Sequence, residues 1–228
     1  MVTNKTKDIL LSANQWGWVM EPDAMQILKI AGLDTPRLFF ATSIEEALKN
    51  ARLIGYPVVA KIVSPEVVHK SDVHGVVTGI FDDVKLHETF NLFSKINGFQ
   101  GILIEETLSG IELIIGAKID NQFGAMVLLG MGGTGVEIYR DTTLRMAPLK
   151  QNDALSMIRS LKAHRLLEGY RGSDPINIDK LSAALITFSR LALKLEDHIE
   201  SIDCNPVMCT SQRCVVADAR FILKATMA

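Results

Sequence analysis

The stretch from Gly55 to Ile80 constrains the fold of this chain more than any other, because it places a lysine inside an apolar run. Residues 58–63 read VVAKIV, which predicts a short buried strand containing Lys61. Burying an ammonium group is costly unless the group meets an anion. The strand therefore predicts an anion site at Lys61. The alternative is a structural lysine that extends from the strand to solvent.

A polar loop, SPEVVHKSDVHG, follows this strand and carries His69 and His74. Gly75 ends the loop, and the apolar residues of VVTGI after it predict a second strand. A lysine-bearing strand that leads into a polar loop with a terminal glycine is one arrangement that grips phosphate groups.

The composition is that of a soluble globular protein with one domain or two closely associated lobes, with 228 residues, 48% of them hydrophobic, and a net charge of −2. This charge makes nucleic acid a poor candidate partner. The N-terminal residues lack the apolar core of a signal peptide, and no run reaches membrane-spanning length, so we expect a cytoplasmic protein. The spacing of Cys204, Cys209 and Cys214 favours reduced thiols over a disulfide framework or a metal site.

Helical and strand patterns alternate along the chain, which predicts a mixed α/β protein of the α+β class. We expect helices near 7–13, 22–31, 44–54, 83–96, 151–161 and 179–196. We expect strands near 37–41, 58–63, 76–80, 101–106, 111–119, 124–130, 144–147, 199–203 and 214–219.

Eight motifs follow one another between Gly55 and Arg220: GYPVVAK, VHKSDVHGV, LIEE, IELIIGA, MGGTGVE, LRMAPL, IDCNP and VADAR. In this order they resemble the ATP-grasp beta subunit of ADP-forming acyl-CoA (acetyl-CoA) synthetase, which is related to the beta subunit of succinyl-CoA synthetase. The resemblance implies an ATP-grasp fold with two lobes that hold ATP between them. We expect an inserted N-lobe at 22–98 and a C-lobe formed by 1–21 and 99–228.

The same resemblance implies nucleotide ligands in the first half of the chain. Lys61 is expected to contact the phosphates, and Glu112 to lie near the nucleotide. Glu105 and Glu106 are adjacent on a predicted strand, so their side chains point to opposite faces and only one can face the pocket. We expect Glu105 to bind the ribose or adenine. Exposed acids at a strand end remain the alternative for Glu105 and Glu106, and an ion pair with Lys118 or Arg145 remains the alternative for Glu112.

Glycines and an arginine are expected near the transferred phosphate. Gly132 and Gly133 lie in GMGGTG, where unhindered backbone N–H groups can approach an anion. The sequence differs from a P-loop, because no GK[ST] follows. Arg145 of LRMAPL would add a fixed cation to this site.

Asn205 and Asp218 lie beside the closing strands, where the resemblance implies the magnesium ligands. Magnesium prefers hard oxygen ligands and shares its octahedron with phosphate oxygens. Asp203 is two residues before Asn205 and faces the same side of a strand, so it is expected to act with them. Relatives often carry a further glutamate where this chain has Ser201, which weakens the case for a third carboxylate. The alternative for Asp218 is a turn or salt-bridge residue.

His69 lies in the HKSD loop, where the resemblance implies a second phosphohistidine. A histidine on the alpha subunit takes phosphate from the acyl phosphate, and the loop histidine then carries it to ADP. Imidazole suits this transfer, because it is nucleophilic near neutral pH. The alternative for His69 is hydrogen bonding to a phosphate or capping of a turn. His74 stands where many relatives have glycine, and no role is assigned to it.

These observations predict the nucleotide-binding subunit of an ADP-forming acyl-CoA synthetase, with ATP/ADP and Mg²⁺. The sequence contains no Rossmann fingerprint for CoA, so we expect a separate CoA-binding alpha subunit, in an α2β2 assembly or a larger one. Two alternatives remain. One is an ATP-grasp carboxylate–amine ligase, and the other is a nucleotide-sensing regulatory partner of an acetyltransferase.

Overall fold

The computed structural model describes residues 3–133 and 140–225. The chain divides into two compact units. Unit 1 consists of Met1–Thr35 and Ser109–Ala228, and unit 2 is the inserted segment Pro36–Leu108. Within the described ranges, no helix combines the length and the apolar character needed to cross a bilayer.

Unit 2 is a four-stranded antiparallel sheet with two helices packed on one face. Its elements are β2 (Leu38–Ala41), α3 (Ile44–Ile54), β3 (Val58–Val63), a 3₁₀ helix (Lys70–Val73), β4 (Val76–Ile80), α4 (Asp83–Phe93) and β5 (Gly101–Glu106). The strand order is β2-β5-β3-β4. The side chains of Ser43 and Asp82 accept hydrogen bonds from backbone N–H groups and cap the two helices. Alternate apolar residues of the strands face α3 and α4 and form a self-contained core.

Unit 1 is built on a seven-stranded antiparallel sheet. Its elements are α1 (Asn4–Ala13), β1 (Trp18–Val19), α2 (Glu21–Ala31), β6 (Ile111–Asp120), β7 (Gly124–Met131), β8 (Thr142–Met146), α5 (Gln151–Ser160), α6 (His164–Leu167), α7 (Ile178–Leu195), β9 (Ile199–Cys209), β10 (Cys214–Val216) and β11 (Ala219–Leu223). The strands run β1-β11-β9-β6-β7-β8, and β10 pairs with β9. Helix α7 packs against β6, β7 and β9, and α2 packs against β11. Gly32 ends α2 in a left-handed conformation at φ 91°.

The boundaries of the two units differ from the predicted lobe boundaries. Helix α2 lies in unit 1, because it packs against β11, α1 and α7. Strand β5 lies in unit 2, because it pairs with both β2 and β3. The inserted unit is therefore Pro36–Leu108 and not 22–98. The turn signal at Asn97-Gly98 ends a helical segment, but it does not end the unit.

The closing strands also differ in extent from the prediction. The expected strand at 199–203 continues to Cys209, and the expected strand at 214–219 is divided into β10 and β11. The division falls at Ala217 and Asp218, and there the backbone of Asn205 donates to the carbonyl of Asp218. The predicted metal ligands thus lie opposite one another, Asn205 on β9 and Asp218 between β10 and β11.

Candidate functional site

Lys61 meets a carboxylate inside unit 2. Its Nζ atom lies 2.8 Å from Oε2 of Glu105, and the two side chains are only 7% and 3% exposed. In the register between β3 and β5, Lys61 lies opposite Leu103 and Val59 lies opposite Glu105, so the charged residues are diagonal neighbours on one face. The expected anion partner of Lys61 is therefore present within the protein.

Glu106 points away from this pair, as two adjacent strand residues require. Its carboxylate accepts hydrogen bonds from the backbone N–H and the guanidinium of Arg37, at 3.1 and 3.2 Å. The Arg37 side chain is 63% exposed, so water screens this ion pair. Of the two adjacent acids, only Glu105 is buried.

His69 is exposed and directly precedes the 3₁₀ helix in the loop between β3 and β4. Its carbonyl accepts from the backbone of Asp72, and Gly75 donates to Lys70 at 2.7 Å. Gly75 also joins the loop to β3, since Ile62 donates to the Gly75 carbonyl at 2.9 Å. A Cβ atom at Gly75 would lie 2.5 Å from Cγ2 of Ile62, so this close approach requires glycine. The exposed imidazole is thus carried on a short hydrogen-bonded turn.

Glu112 and the glycines are neighbours in unit 1. The backbone N–H of Gly132 donates to the Glu112 carbonyl at 2.7 Å, and a Cβ atom at Gly132 would lie 2.8 Å from that oxygen. A Cβ atom at Gly133 would lie 3.5 Å from Oε2 of Glu112. The exposed Glu112 carboxylate therefore stands beside the start of the glycine-rich segment. The last two residues of that segment fall within 134–139, which lie outside the described residues.

Arg145 does not join this group. It pairs with the buried Val127 in the ladder between β7 and β8, and its guanidinium donates to Ser156 Oγ of α5 and to its neighbour Leu144. Glu112 alternates with the buried Leu113 and lies on the other face of the sheet. The predicted role of Arg145 at a phosphate site is not supported, because its side chain lies on the helix-covered face.

Asn205 and Asp218 are brought together as cross-strand neighbours in the continuous register of β9 with β10 and β11. The Asn205 N–H donates to the Asp218 carbonyl at 3.1 Å. Asp203 and Asn205 flank the buried Cys204, and so both face away from the helices. Asp203 lies 3.8 Å from the guanidinium of Arg220, its cross-strand partner on β11.

The pKa of the Cys204 thiol reports the charge in this region. Burial raises this pKa, and the carboxylates of Asp203 and Asp218 raise it further. Both carboxylates therefore act on one buried thiol and create a negative potential around it.

The donors around Asn205 fit a magnesium ion of the type that is shared with phosphates. They comprise an amide oxygen and carboxylates, which are hard oxygen ligands. The described residues contain no cluster of three or more His, Cys, Asp or Glu side chains that would hold a metal alone. Magnesium bound through one or two protein ligands keeps waters and takes its remaining ligands from phosphates. Asn205 and Asp218 match this pattern.

Sequence reasoning missed two features of these groups. The pairing of Lys61 with Glu105 depends on the register between β3 and β5, whose residues are distant in the chain. Arg220, which pairs with Asp203, could have been noticed, because it lies two residues after Asp218 and so on the same side of the closing segment.

Comparison with known proteins identifies the family. The sequence model of the ATP-grasp domain family matches residues 11–223. The chain is 40% identical over 213 residues to the beta subunit of ADP-forming acetate–CoA ligase I of Pyrococcus furiosus, covering 90% of this chain and 91% of that protein. It is 37% identical to ADP-forming acetate–CoA ligase I of Archaeoglobus fulgidus, but spans only 31% of that longer chain.

A solved structure has the same fold. It is an acetyl-coenzyme A synthetase 1 from Ca. Korarchaeum cryptofilum in complex with coenzyme A, Ca-AMPCP and HgCl⁺, with a TM-score of 0.90 and 39% identity. The match covers 96% of this chain and all of that one, 100%. By sequence and by fold, the chain belongs to the ATP-grasp family, among the beta subunits of ADP-forming acetate–CoA ligases.

Proposed function

We propose that this chain is the nucleotide-binding beta subunit of an ADP-forming acyl-CoA synthetase. The enzyme interconverts acyl-CoA, ADP and phosphate with carboxylate, CoA and ATP. The observation that carries this proposal is the likeness to the Pyrococcus beta subunit, which extends over 90% of this chain and includes the exposed loop of His69. A separate CoA-binding alpha subunit completes the enzyme, in an α2β2 assembly.

Lys61 supplies a cation for the nucleotide phosphates. Its burial beside Glu105 gives the ammonium a fixed position, and a fixed cation binds a phosphate oxygen with little loss of side-chain entropy. Asn205 and Asp218 supply oxygen ligands for the magnesium ion that accompanies the nucleotide. When bound, this ion neutralises phosphate charge during transfer. Glu112 lies beside Gly132 and Gly133 and forms a polar edge for the nucleotide.

His69 carries the phosphoryl group between the partner subunit and ADP. In the direction of ATP synthesis, a bond forms between an imidazole nitrogen of His69 and phosphorus while the donor's bond to phosphorus breaks. An ADP oxygen then attacks this phosphorus and releases the imidazole. The exposure of His69 supports this role, because both donor and acceptor must reach the ring.

Phosphate transfer to His69 is testable by labelling. After incubation of the full-length chain with magnesium ATP, mass spectrometry under conditions that preserve phosphohistidine should locate phosphate on His69. His69→Ala should reduce both this label and ATP formation from acetyl-CoA, ADP and phosphate by at least about 100-fold when the alpha subunit is present. His74→Asn is the matched control, because it removes another exposed imidazole from the same loop and should leave the label in place.

Two results would count against this assignment. A label that persists in His69→Ala would place the phosphate elsewhere. Full ATP-dependent ligase activity of His69→Ala would favour a carboxylate–amine ligase, which has no use for this histidine. Co-purification with an acetyltransferase in place of a CoA-binding subunit would favour the regulatory alternative.

A further inference from the structure

Glu105 is a buried carboxylate committed to a lysine. Its Oε2 atom lies 2.8 Å from Nζ of Lys61, and its side chain is 3% exposed. The sequence had suggested that it contacts the ribose or adenine. A carboxylate that already bonds a buried ammonium holds that ammonium charged and fixes its position.

We propose that Glu105 is a positioning residue for Lys61 and acts on the nucleotide only through that ammonium group. This inference rests on the proposed function, in which Lys61 contacts the phosphates. An ammonium group has three N–H donors, so one nitrogen can bond both a carboxylate and a phosphate oxygen. The side chain of a lysine is long and flexible, and its ammonium group readily loses its proton when it is buried. A neighbouring carboxylate restricts the side chain and stabilises the charged ammonium.

The strand register explains why this pairing is robust. Lys61 and Glu105 project from neighbouring strands as a diagonal pair, and the intervening Leu103 is fully buried. Removing one partner leaves the other charge buried and uncompensated.

Three roles for Glu105 give three different patterns across a nucleotide series. A positioning residue affects ligands in proportion to their phosphates, so ADP and ATP lose affinity and adenosine does not. A ligand of the ribose or adenine affects adenosine, ADP and ATP alike. A purely structural residue lowers thermal stability without selecting among the three ligands.

The experiment is calorimetric titration of the full-length chain with adenosine, with ADP and with ATP, the last two in the presence of magnesium. Glu105→Gln should weaken ATP and ADP binding by about tenfold or more and leave adenosine binding within about twofold of wild type. Lys61→Met should do the same. In the double variant Lys61→Met/Glu105→Gln, the second substitution should cause no further loss, because Glu105 then has no ammonium to position.

The matched control is Glu88→Gln. Glu88 also pairs with a lysine of unit 2, at 3.3 Å from Lys85, but both side chains are more than half exposed at 59% and 54%. This substitution should change neither affinity nor selectivity, because exposed pairs contribute little.

If Glu105→Gln or the double variant fails to fold, two other variants test the same proposal. Glu105→Asp keeps the charge but withdraws it by one methylene group, so it should still produce the phosphate-selective loss. Lys61→Met/Glu105→Leu replaces the buried pair by apolar groups, a change that proteins often tolerate. It should fold and show the affinities of Lys61→Met.

The outcomes distinguish a failure of the positioning role of Glu105 from a failure of the proposed role of Lys61. If Lys61→Met binds ATP as tightly as wild type, the proposed role of Lys61 fails. If Lys61→Met loses affinity but Glu105→Gln does not, or if the two losses add in the double variant, the positioning role is overturned. If Glu105→Gln loses affinity for adenosine and for ATP equally, Glu105 contacts the nucleoside directly.

Discussion

His74 closes the loop of His69 with a backbone conformation that favours glycine. Its φ and ψ angles are 52° and 34°, in the left-handed region. Its N–H donates to the carbonyl of Ser71, and the following Gly75 donates to Lys70. This conformation costs a residue with a Cβ atom about 1 kcal/mol.

Replacing His74 by glycine should therefore stabilise the protein. We expect a gain of about 0.5–1 kcal/mol, reduced by the greater freedom of glycine in the unfolded chain. For a chain of this size, this gain corresponds to a rise in Tm of about 1–4 °C. Thermal unfolding followed by circular dichroism measures it.

The control for this prediction is another histidine of the same unit. His87 is exposed on α4, where the helical conformation suits any residue with a Cβ atom. His87→Gly should lower stability by about 0.5–1 kcal/mol. If both substitutions destabilise the protein alike, the conformation at His74 carries no strain.

The sequence predicted that a buried residue such as Lys61 requires a partner of opposite charge, but it did not predict which residue is that partner. The buried position of Lys61 predicted an anion, but the sequence could not show that Glu105 supplies it. That contact depends on the pairing of β3 with β5, which are separated in the chain by the loop of His69, β4 and α4. Arg145 illustrates the converse, since its motif is recognisable in the sequence, but the face on which it lies depends on the pairing of β8 with β7.

At the scale of elements, one carboxylate joins the two helices of unit 2. Asp83 begins α4 and bonds the guanidinium of Arg52 on α3, and it accepts from the hydroxyl of Tyr56 at 2.7 Å. These bonds hold the pKa of Asp83 below its usual value of 3.8, the bond to Arg52 having the larger effect. Burial raises the pKa of Tyr56, and the hydrogen bond to Asp83 raises it further.

This depressed pKa predicts how stability depends on pH. The contribution of Asp83 is present above its usual pKa of 3.8 and is lost as pH falls through its lower value in the folded protein. Asp83→Asn should lower Tm at pH 7, and the difference from wild type should shrink as pH falls below about 4. Thermal unfolding across this range measures the difference.

Asp23 offers a comparison of opposite sign. Partial burial in the first turn of α2 raises its pKa above 3.8, so its ionised form costs stability at neutral pH. Asp23→Asn should raise Tm at pH 7, and this gain should vanish in acid as wild-type Asp23 becomes protonated. A pH-independent effect of either substitution would contradict the linkage.

Most elements were predicted within a few residues, because their patterns are local. Helix α3 has both its Ser43 cap and its terminal Gly55, and α2 has Pro22 and Gly32. The closing strands were harder, since Asp203 and Asn205 interrupt the apolar pattern of β9. The side chains of Asp203 and Asn205 flank the buried Cys204 and so face away from the core.

At the scale of the whole chain, unit 2 begins and ends on neighbouring strands. Leu38 of β2 lies opposite Glu105 of β5, and the Glu106 N–H donates to the Arg37 carbonyl at 3.0 Å. The chain therefore leaves unit 1 at Thr35 and returns to it at Ser109 from adjacent points. An insertion with adjacent ends and its own core has the anatomy of an independent folding unit.

The segment 36–108 should accordingly fold when expressed alone. It contains the complete four-stranded sheet, both helices and the buried apolar cluster of unit 2. A segment of this size has a free energy of unfolding of about 3–5 kcal/mol at most. A dispersed ¹H–¹⁵N correlation spectrum and cooperative thermal unfolding would demonstrate the fold.

The matched control is the segment 22–98, which lacks β5, the strand that joins β2 to β3. Without β5 the sheet has no centre, so this segment should remain unfolded. Equal folding of both segments would contradict the assignment of β5 to the inserted unit.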